Sequence, residues 1–348
     1  MRREHFERVA PICLHCRSTS AVDVPLTIGT IAREVDQDII EGTLVCTQPL
    51  CQLECPIIDG IPIIVPDIRQ FISDNIEPLL ARDDLTPLSE GLIRDCLGTN
   101  ASIVTRTYFL SCYAQDHYQH NDGAGSVLGR GIDLLTRPPS GVWIDVGCAT
   151  AGASFELSKQ TNDLVLGIDT NITLLRFARQ LIANGVANYP RKRSGVVYDQ
   201  QTIEVDDDCR QHVEVWACDA TALPFRGQTF AGGVSLNVVD AVNLPVRHLA
   251  ELGRVLVDNS EAIIASPYDW QETVTALPHW IGGHSPRSHS GGDSVLEMRR
   301  LLSEKSPDEL GIRLRLVNEV DEVPWRVSMN ERAAVTYQTH VIIARAAV

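Results

Sequence analysis

The stretch VWIDVGCATAG, Val142–Gly152, decides how the chain is read. Val142–Val146 is a short apolar run broken only by Asp145, as a buried strand would be. A glycine-containing turn follows at once, and ASFELSKQ (Ala153–Gln160) then reads as a helix. Strand, glycine turn and helix form the opening unit of a doubly wound sheet. The alternation continues downstream. LVLGI (Leu164–Ile168) is a second strand. ITLLRFARQLIANG (Ile172–Gly185) places Leu174, Ala178, Leu181 and Ile182 on one helical face, with Gly185 near its end. VEVWA (Val213–Ala217), AGGVSL (Ala231–Leu236) and EAIIAS (Glu261–Ser266) are three more strands. IRLRLVNEV (Ile312–Val320) and AAVTYQTHVIIARA (Ala333–Ala346) follow without a helical pattern between them, which predicts an antiparallel hairpin at the sheet edge. The polar stretch 188–212 reads as an inserted loop or hairpin. The expected fold is therefore α/β and Rossmann-like, with an antiparallel C-terminal hairpin.

Ligands of such sheets sit beyond the carboxyl ends of the strands, near the switch point. A dinucleotide site would show G-x-G-x-x-G in the first turn. Here Gly147 is followed by Ala149 and Ala151 at the small positions. That permits close backbone approach and suits a ligand without pyrophosphate, such as S-adenosylmethionine (SAM). Asp169 ends the second strand, 22 residues after Gly147, where a carboxylate accepts from ribose hydroxyls. Asp219, in WACDATALPF, ends the third and can accept from an adenine amino group. Asp145 lies under the first turn and can orient it or, through water, meet the methionine ammonium. Gly147, Cys148, Ala149, Thr170, Cys218, Ala220 and Asn237 complete the expected cofactor set. The arrangement resembles class I SAM-dependent methyltransferases along about two hundred residues.

Three ordered strings carry a narrower resemblance. DVGCATAGASFELS (Asp145–Ser158), SLNVVDAVNLPVRHL (Ser235–Leu249) and SPYDWQETVTALPHWIGG (Ser266–Gly283) are similar to motifs of the mercaptohistidine N-methyltransferases of ovothiol biosynthesis. The resemblance implies methylation of an imidazole ring nitrogen on a small thiol- or selenol-bearing histidine derivative. Within it, Asn237 and Asp240 are the candidate catalytic residues. Tyr113, His117, Tyr118, Asp240, Tyr268, Trp270 and Trp280 are the candidate substrate contacts, the last three as flat rings laid over the cleft. The sequence departs from the family pattern, with Gly152 and Ala241 where the pattern carries Arg and Ala151 where the pattern carries Gly. A lost Arg points to a different acidic group on the substrate.

Five of the ten cysteines fall between Cys13 and Cys55. CLHC (Cys13–Cys16) and CTQPLCQLEC (Cys46–Cys55) match the two knuckles of a zinc ribbon, with Cys13, Cys16, Cys46 and Cys51 as ligands of a structural zinc and Cys55 as a spare candidate. The continuation CPIIDGIPIIVPD (Cys55–Asp67) resembles Trm112-like zinc ribbons. The expected organisation is a zinc-ribbon-like domain over 1–69, a helical lead-in and cap over 70–140, and the SAM-binding domain over 141–348.

The chain has 348 residues and a net charge of −15, against a nucleic-acid partner. No run approaches the ~18 apolar residues of a membrane span. The start, MRREHFERVAP, lacks an apolar signal core, so a cytoplasmic protein acting on a small molecule is expected. Its oligomeric state is not legible. Competing readings are an RNA base methyltransferase that grips RNA with its zinc module, a non-catalytic SAM-fold scaffold, and a small-molecule O- or C-methyltransferase.

Overall fold

A computed structural model of the chain describes residues 1–79, 81, 102–118, 123–304 and 310–347. Helices α1 (Arg3–Val9) and α2 (Leu14–Ser20) lead into strands β1 (Leu26–Val35), β2 (Asp38–Cys46), β3 (Glu54–Ile58) and β4 (Ile61–Ile64). Short helices α3 (Ile68–Asp74) and α4 (Ile76–Leu79) follow, then α5 (Ser102–Tyr118) and α6 (Ala124–Leu134). The helical run expected over Leu88–Leu97 lies outside the described residues.

The alternating part runs β5 (Trp143–Val146), α7 (Gly152–Thr161), β6 (Val165–Asp169), α8 (Ile172–Asn184), the hairpin β7 (Val186–Ser194) and β8 (Val197–Glu204), α9 (Asp207–Arg210), β9 (Val213–Cys218), β10 (Phe230–Leu236), α10 (Pro245–Val255) and β11 (Leu256–Ser266). Helix α11 (Ser294–Leu301) precedes β12 (Leu314–Asn330) and β13 (Ala333–Ala346). One sheet has the order β1-β2-β3-β4-β9-β6-β5-β10-β11-β13-β12. Strands β4 through β11 in that order are parallel, and β13 and β12 are antiparallel to their neighbours. Hairpin β7–β8 forms a separate pair.

Local chemistry explains these elements. β5 and β9 are buried along their whole length, as parallel strands covered on both faces must be. Asn171 caps α8 by accepting from the Thr173 and Leu174 amides at 3.1 and 3.3 Å. Gly185, at φ +73°, ends it and donates back to the Leu181 carbonyl. Between those stops α8 buries Leu174, Leu175, Phe177, Ala178, Leu181 and Ile182, each large apolar side chain contributing about 1.5–3 kcal/mol. Helices α5, α7 and α8 pack with Val213, Val215 and Ala217 on one face. Helices α1, α10 and α11 pack with Ile144, Leu166 and Trp216 on the other. Among the described residues no helix is long and apolar enough to cross a membrane.

The N-terminal segment joins the large sheet through β4. β4 lies parallel to β9, with Ile63 beside Ala217 and Ile64 beside Cys218. The reason is in IPIIV (Ile61–Val65), which is buried throughout. That run covers the β9 edge, which would otherwise present unpaired amides and carbonyls. Arg17 of α2 strengthens the join by donating to Glu251 of α10 and to the Leu223 carbonyl.

Candidate active site

The chain order reverses at β5, whose neighbours are β6 on one side and β10 on the other. A cleft of about 600 Å³ opens there, at the carboxyl ends of β5, β6, β9 and β10. Its floor is the first turn. Gly147, Ala149 and Ala151 have φ of +78°, +47° and +65°. Left-handed alanines cost about 1–2 kcal/mol each and persist only where their surroundings enforce them. Asp169 is one enforcer: its Oδ2 accepts the Ala149 amide at 2.9 Å and its Oδ1 the Asn171 amide at 2.8 Å. Burial raises the Asp169 pKa, and these amides oppose the rise.

Asp145 sits beneath the turn and accepts from the Ser154 hydroxyl at 2.6 Å. Burial pushes its carboxyl up to about 7; the Ser154 hydroxyl holds it down and the Asp169 carboxylate adds to the rise. Asp219, after β9, accepts from both the amide and the hydroxyl of Thr221 at 2.7 Å through Oδ1. Behind it, buried His248 reaches the Ala220 carbonyl at 3.4 Å and the Ser235 hydroxyl at 2.9 Å. Asn237 follows β10 at φ +58°, and its buried Oδ1 has no hydrogen-bond partner among the described residues. Asp145, Gly147, Cys148, Ala149, Asp169, Thr170, Cys218, Asp219, Ala220 and Asn237 all line this one cleft. Three strand-end acids, an unpartnered amide oxygen and a turn without bulky side chains fit SAM. The acids suit the ribose, the adenine and the ammonium.

The substrate candidates divide. Tyr113 and His117 line the cleft from α5, their rings edge to face at 6.2 Å. Burial raises Tyr113 to about 12 and lowers His117 to about 4. Tyr118 turns into a neighbouring cleft and donates to the Thr150 carbonyl at 2.6 Å, bracing the first turn. Tyr268, Trp270 and Trp280 do not line the cleft, contrary to expectation. They stack on one another, Tyr268–Trp270 at 6.5 Å and Trp270–Trp280 at 6.0 Å. Tyr268, at φ +55°, has its hydroxyl 2.8 Å from His340 Nδ1. Asp240 is buried outside the cleft and accepts the Asp269 amide at 2.6 Å.

Sequence reasoning missed a further ring that lines the cleft. Trp325, on β12, donates to both Asp116 oxygens at 3.1 Å and stacks on Tyr337 at 5.0 Å. Phe109, Asp116, Asn243 and Val274 also line it. The available signal was a Trp inside an alternating edge strand, EVPWRV.

At the far end of the sheet, the sulfurs of Cys13, Cys16, Cys46 and Cys51 lie within 4.8 Å of one another, and Cys55 is outside the group. The Cys13–Cys51 and Cys16–Cys46 separations are both 3.7 Å. A ZnS₄ tetrahedron with Zn–S near 2.3 Å has edges of about 3.8 Å. The four residues therefore fit a closed site that would brace α2 against β2.

Residues 144–264 match the family described as methyltransferase domain. No curated protein matches the chain. Among solved structures, the MccD protein is similar at 15% identity and TM-score 0.42, over 65% of this chain and 100% of that one. A Methanosarcina mazei SAM-dependent methyltransferase is similar at 18% identity and TM-score 0.38, over 62% and 96%. Haemonchus contortus phosphoethanolamine N-methyltransferase 2 is similar at 13% identity and TM-score 0.42, over 72% and 59%. With that domain placed on strands β5 to β11, the chain carries a SAM-dependent methyltransferase domain on an α/β, Rossmann-like sheet.

Proposed function

We propose that the enzyme methylates a ring nitrogen of a small thiol- or selenol-bearing imidazole, a histidine derivative of the ovothiol type. SAM supplies an electrophilic methyl carbon on a sulfonium. The protein's task is to hold a nucleophile in line with it. The observation that carries the reading is a single cleft holding the strand-end acids together with Asn237, Tyr113, His117 and Trp325. The three ordered motifs between Asp145 and Gly283 add the imidazole class. A neutral imidazole already has a ring lone pair, so it needs orientation and the right tautomer rather than a strong base. Asn237, on the cleft wall, is the candidate to accept the ring N–H. Trp325 and Tyr113 offer flat faces or edges to a flat substrate. Asp240 holds the post-β10 and post-β11 segments together, through the Asp269 amide, rather than meeting substrate.

A turnover assay by mass spectrometry tests this. Protein and SAM are mixed with histidine, mercaptohistidine, selenium-containing imidazoles and bulk RNA, and any product heavier by one methyl is fragmented. A methyl on a ring nitrogen of a chalcogen-bearing imidazole supports the reading. Methylation of the chalcogen, or of RNA with small molecules untouched, overturns it.

A further inference from the structure

The cleft has an unusual charge inventory for a ligand with a carboxylate. Asp116, Asp145, Asp169 and Asp219 line it, and among the described residues no Lys or Arg does. The methionine moiety of SAM carries an ammonium and a carboxylate on one carbon. Asp145 is the candidate for the ammonium. The carboxylate must find neutral N–H donors on the same wall.

His117 is one whose tautomer the backbone fixes. Its Nδ1 lies 3.1 Å from the Gly152 amide, which can only donate, so Nδ1 is the acceptor. A neutral ring with Nδ1 accepting carries its proton on Nε2. The ring is neutral because burial lowers its pKa to about 4. Packing also dictates the glycine. A Cβ at residue 152 would lie 2.5 Å from His117 Cβ and 2.9 Å from the ring, so the imidazole occupies the place a side chain there would take. The first turn of α7 thus anchors two groups: Gly152 holds His117, and Ser154 holds Asp145.

We propose that His117, fixed as the Nε2–H tautomer, donates to the methionine carboxylate of SAM while Asp145 takes the ammonium, so that the pair clamps the amino-acid end of the cofactor. This rests on the methyltransferase reading but not on the identity of the acceptor. It makes His117 a cofactor-selecting residue rather than a base, since its only basic nitrogen is engaged.

Decarboxylated SAM, which differs only in lacking the carboxylate, is the probe. Binding of SAM and of decarboxylated SAM to the full chain is measured by calorimetry. The wild type should prefer SAM by about tenfold or more, the scale of one hydrogen bond to a charged acceptor. In His117→Asn the amide oxygen still accepts from Gly152, but nothing stands at Nε2. The preference should fall to within about threefold with the melting midpoint kept, and His117→Gln should restore part of it. The ¹⁵N shifts of His117 should show a protonated Nε2. Equal binding of both compounds by the wild type, an unchanged preference in His117→Asn, or a protonated Nδ1 overturns the clamp and leaves the methyltransferase reading intact. Failure of the wild type to bind either compound overturns both.

Discussion

Asp145 makes cofactor affinity depend on pH in a way that can be worked out in advance. Its carboxyl titrates near 7 because it is buried beside Asp169 with one hydroxyl donor. A ligand ammonium favours the ionised form, so SAM binding should release a proton whenever the pH is below that value. If SAM meets only the carboxylate, its apparent Kd weakens about tenfold between pH 8 and pH 6 and about a hundredfold by pH 5. Above about pH 8 the α-amino group of SAM loses its own proton, so affinity falls again. The optimum lies between these limbs. The same shift has an opposite sign for the free protein: a carboxyl with a raised folded pKa makes the ligand-free fold less stable as the pH rises from about 4 towards 7. Cofactor should therefore restore most stability at the top of that window. Calorimetric titration between pH 5 and 9, in two buffers of different ionisation enthalpy, gives both the affinity and the proton count. Asp145→Asn should abolish the acid limb, and Ser154→Ala should move it upward. A flat Kd from pH 5.5 to 7.5, or an acid limb that survives in Asp145→Asn, would refute the reasoning.

Other consequences can be checked directly. Arg17→Ala removes a donor from Glu251, a carboxyl pushed up by burial yet held at about 2 by Arg254 and Arg17; it should cost about 1–3 kcal/mol in a denaturant titration at pH 7, and a change below about 0.5 kcal/mol contradicts the join between α2 and α10. That stabilisation is present above the unfolded carboxyl value near 4.3 and is lost as the pH falls towards 2. Protein purified without chelator should carry about one zinc, and Cys46→Ser should lower both the metal content and the unfolding midpoint; metal-free protein of full stability would speak against the site. Trp325→Ala should raise the acceptor KM while the SAM Kd stays within about threefold, whereas a parallel loss of SAM affinity would place that ring against the cofactor instead.

Much of the sheet was legible because parallel strands and their helices impose periods that survive in sequence. VWIDV, LVLGI and VEVWA could be placed from apolar runs between turn signals, and Asn171 and Gly185 bound α8 as caps should. The continuity of β4 with β9 was not legible. IPIIV announces a buried strand but not its partner, and pairing between segments some 150 residues apart leaves no local signature. The strand-end acids were legible for a related reason: the sheet alone fixes where a strand ends, and Asp145, Asp169 and Asp219, at or just beyond those ends, line the cleft.

The aromatic loop shows where such reasoning stops. A strand ending at Pro267 and followed by Tyr268, Trp270 and Trp280 points to rings over the cleft, since the backbone leaves the sheet there. Ring direction, however, depends on one backbone angle. Tyr268 takes a left-handed φ and swings its ring to His340, which in turn meets Glu319 at 2.9 Å. The Trp rings then stack behind it. Trp270 Nε1 donates to Ser294 at 3.2 Å and Trp280 Nε1 to the Thr275 carbonyl at 2.6 Å. Thr275 donates its hydroxyl to the Val242 carbonyl at 2.6 Å, and both Val242 and Val274 line the cleft. Tyr268, Trp270 and Trp280 therefore frame a wall whose inner face carries Val242 and Val274. Replacing Trp270 should disturb acceptor binding only by letting that wall shift, and should lower stability by about 2 kcal/mol alongside. A variant that kept its stability but lost the acceptor would mean that the ring leaves the stack to meet substrate.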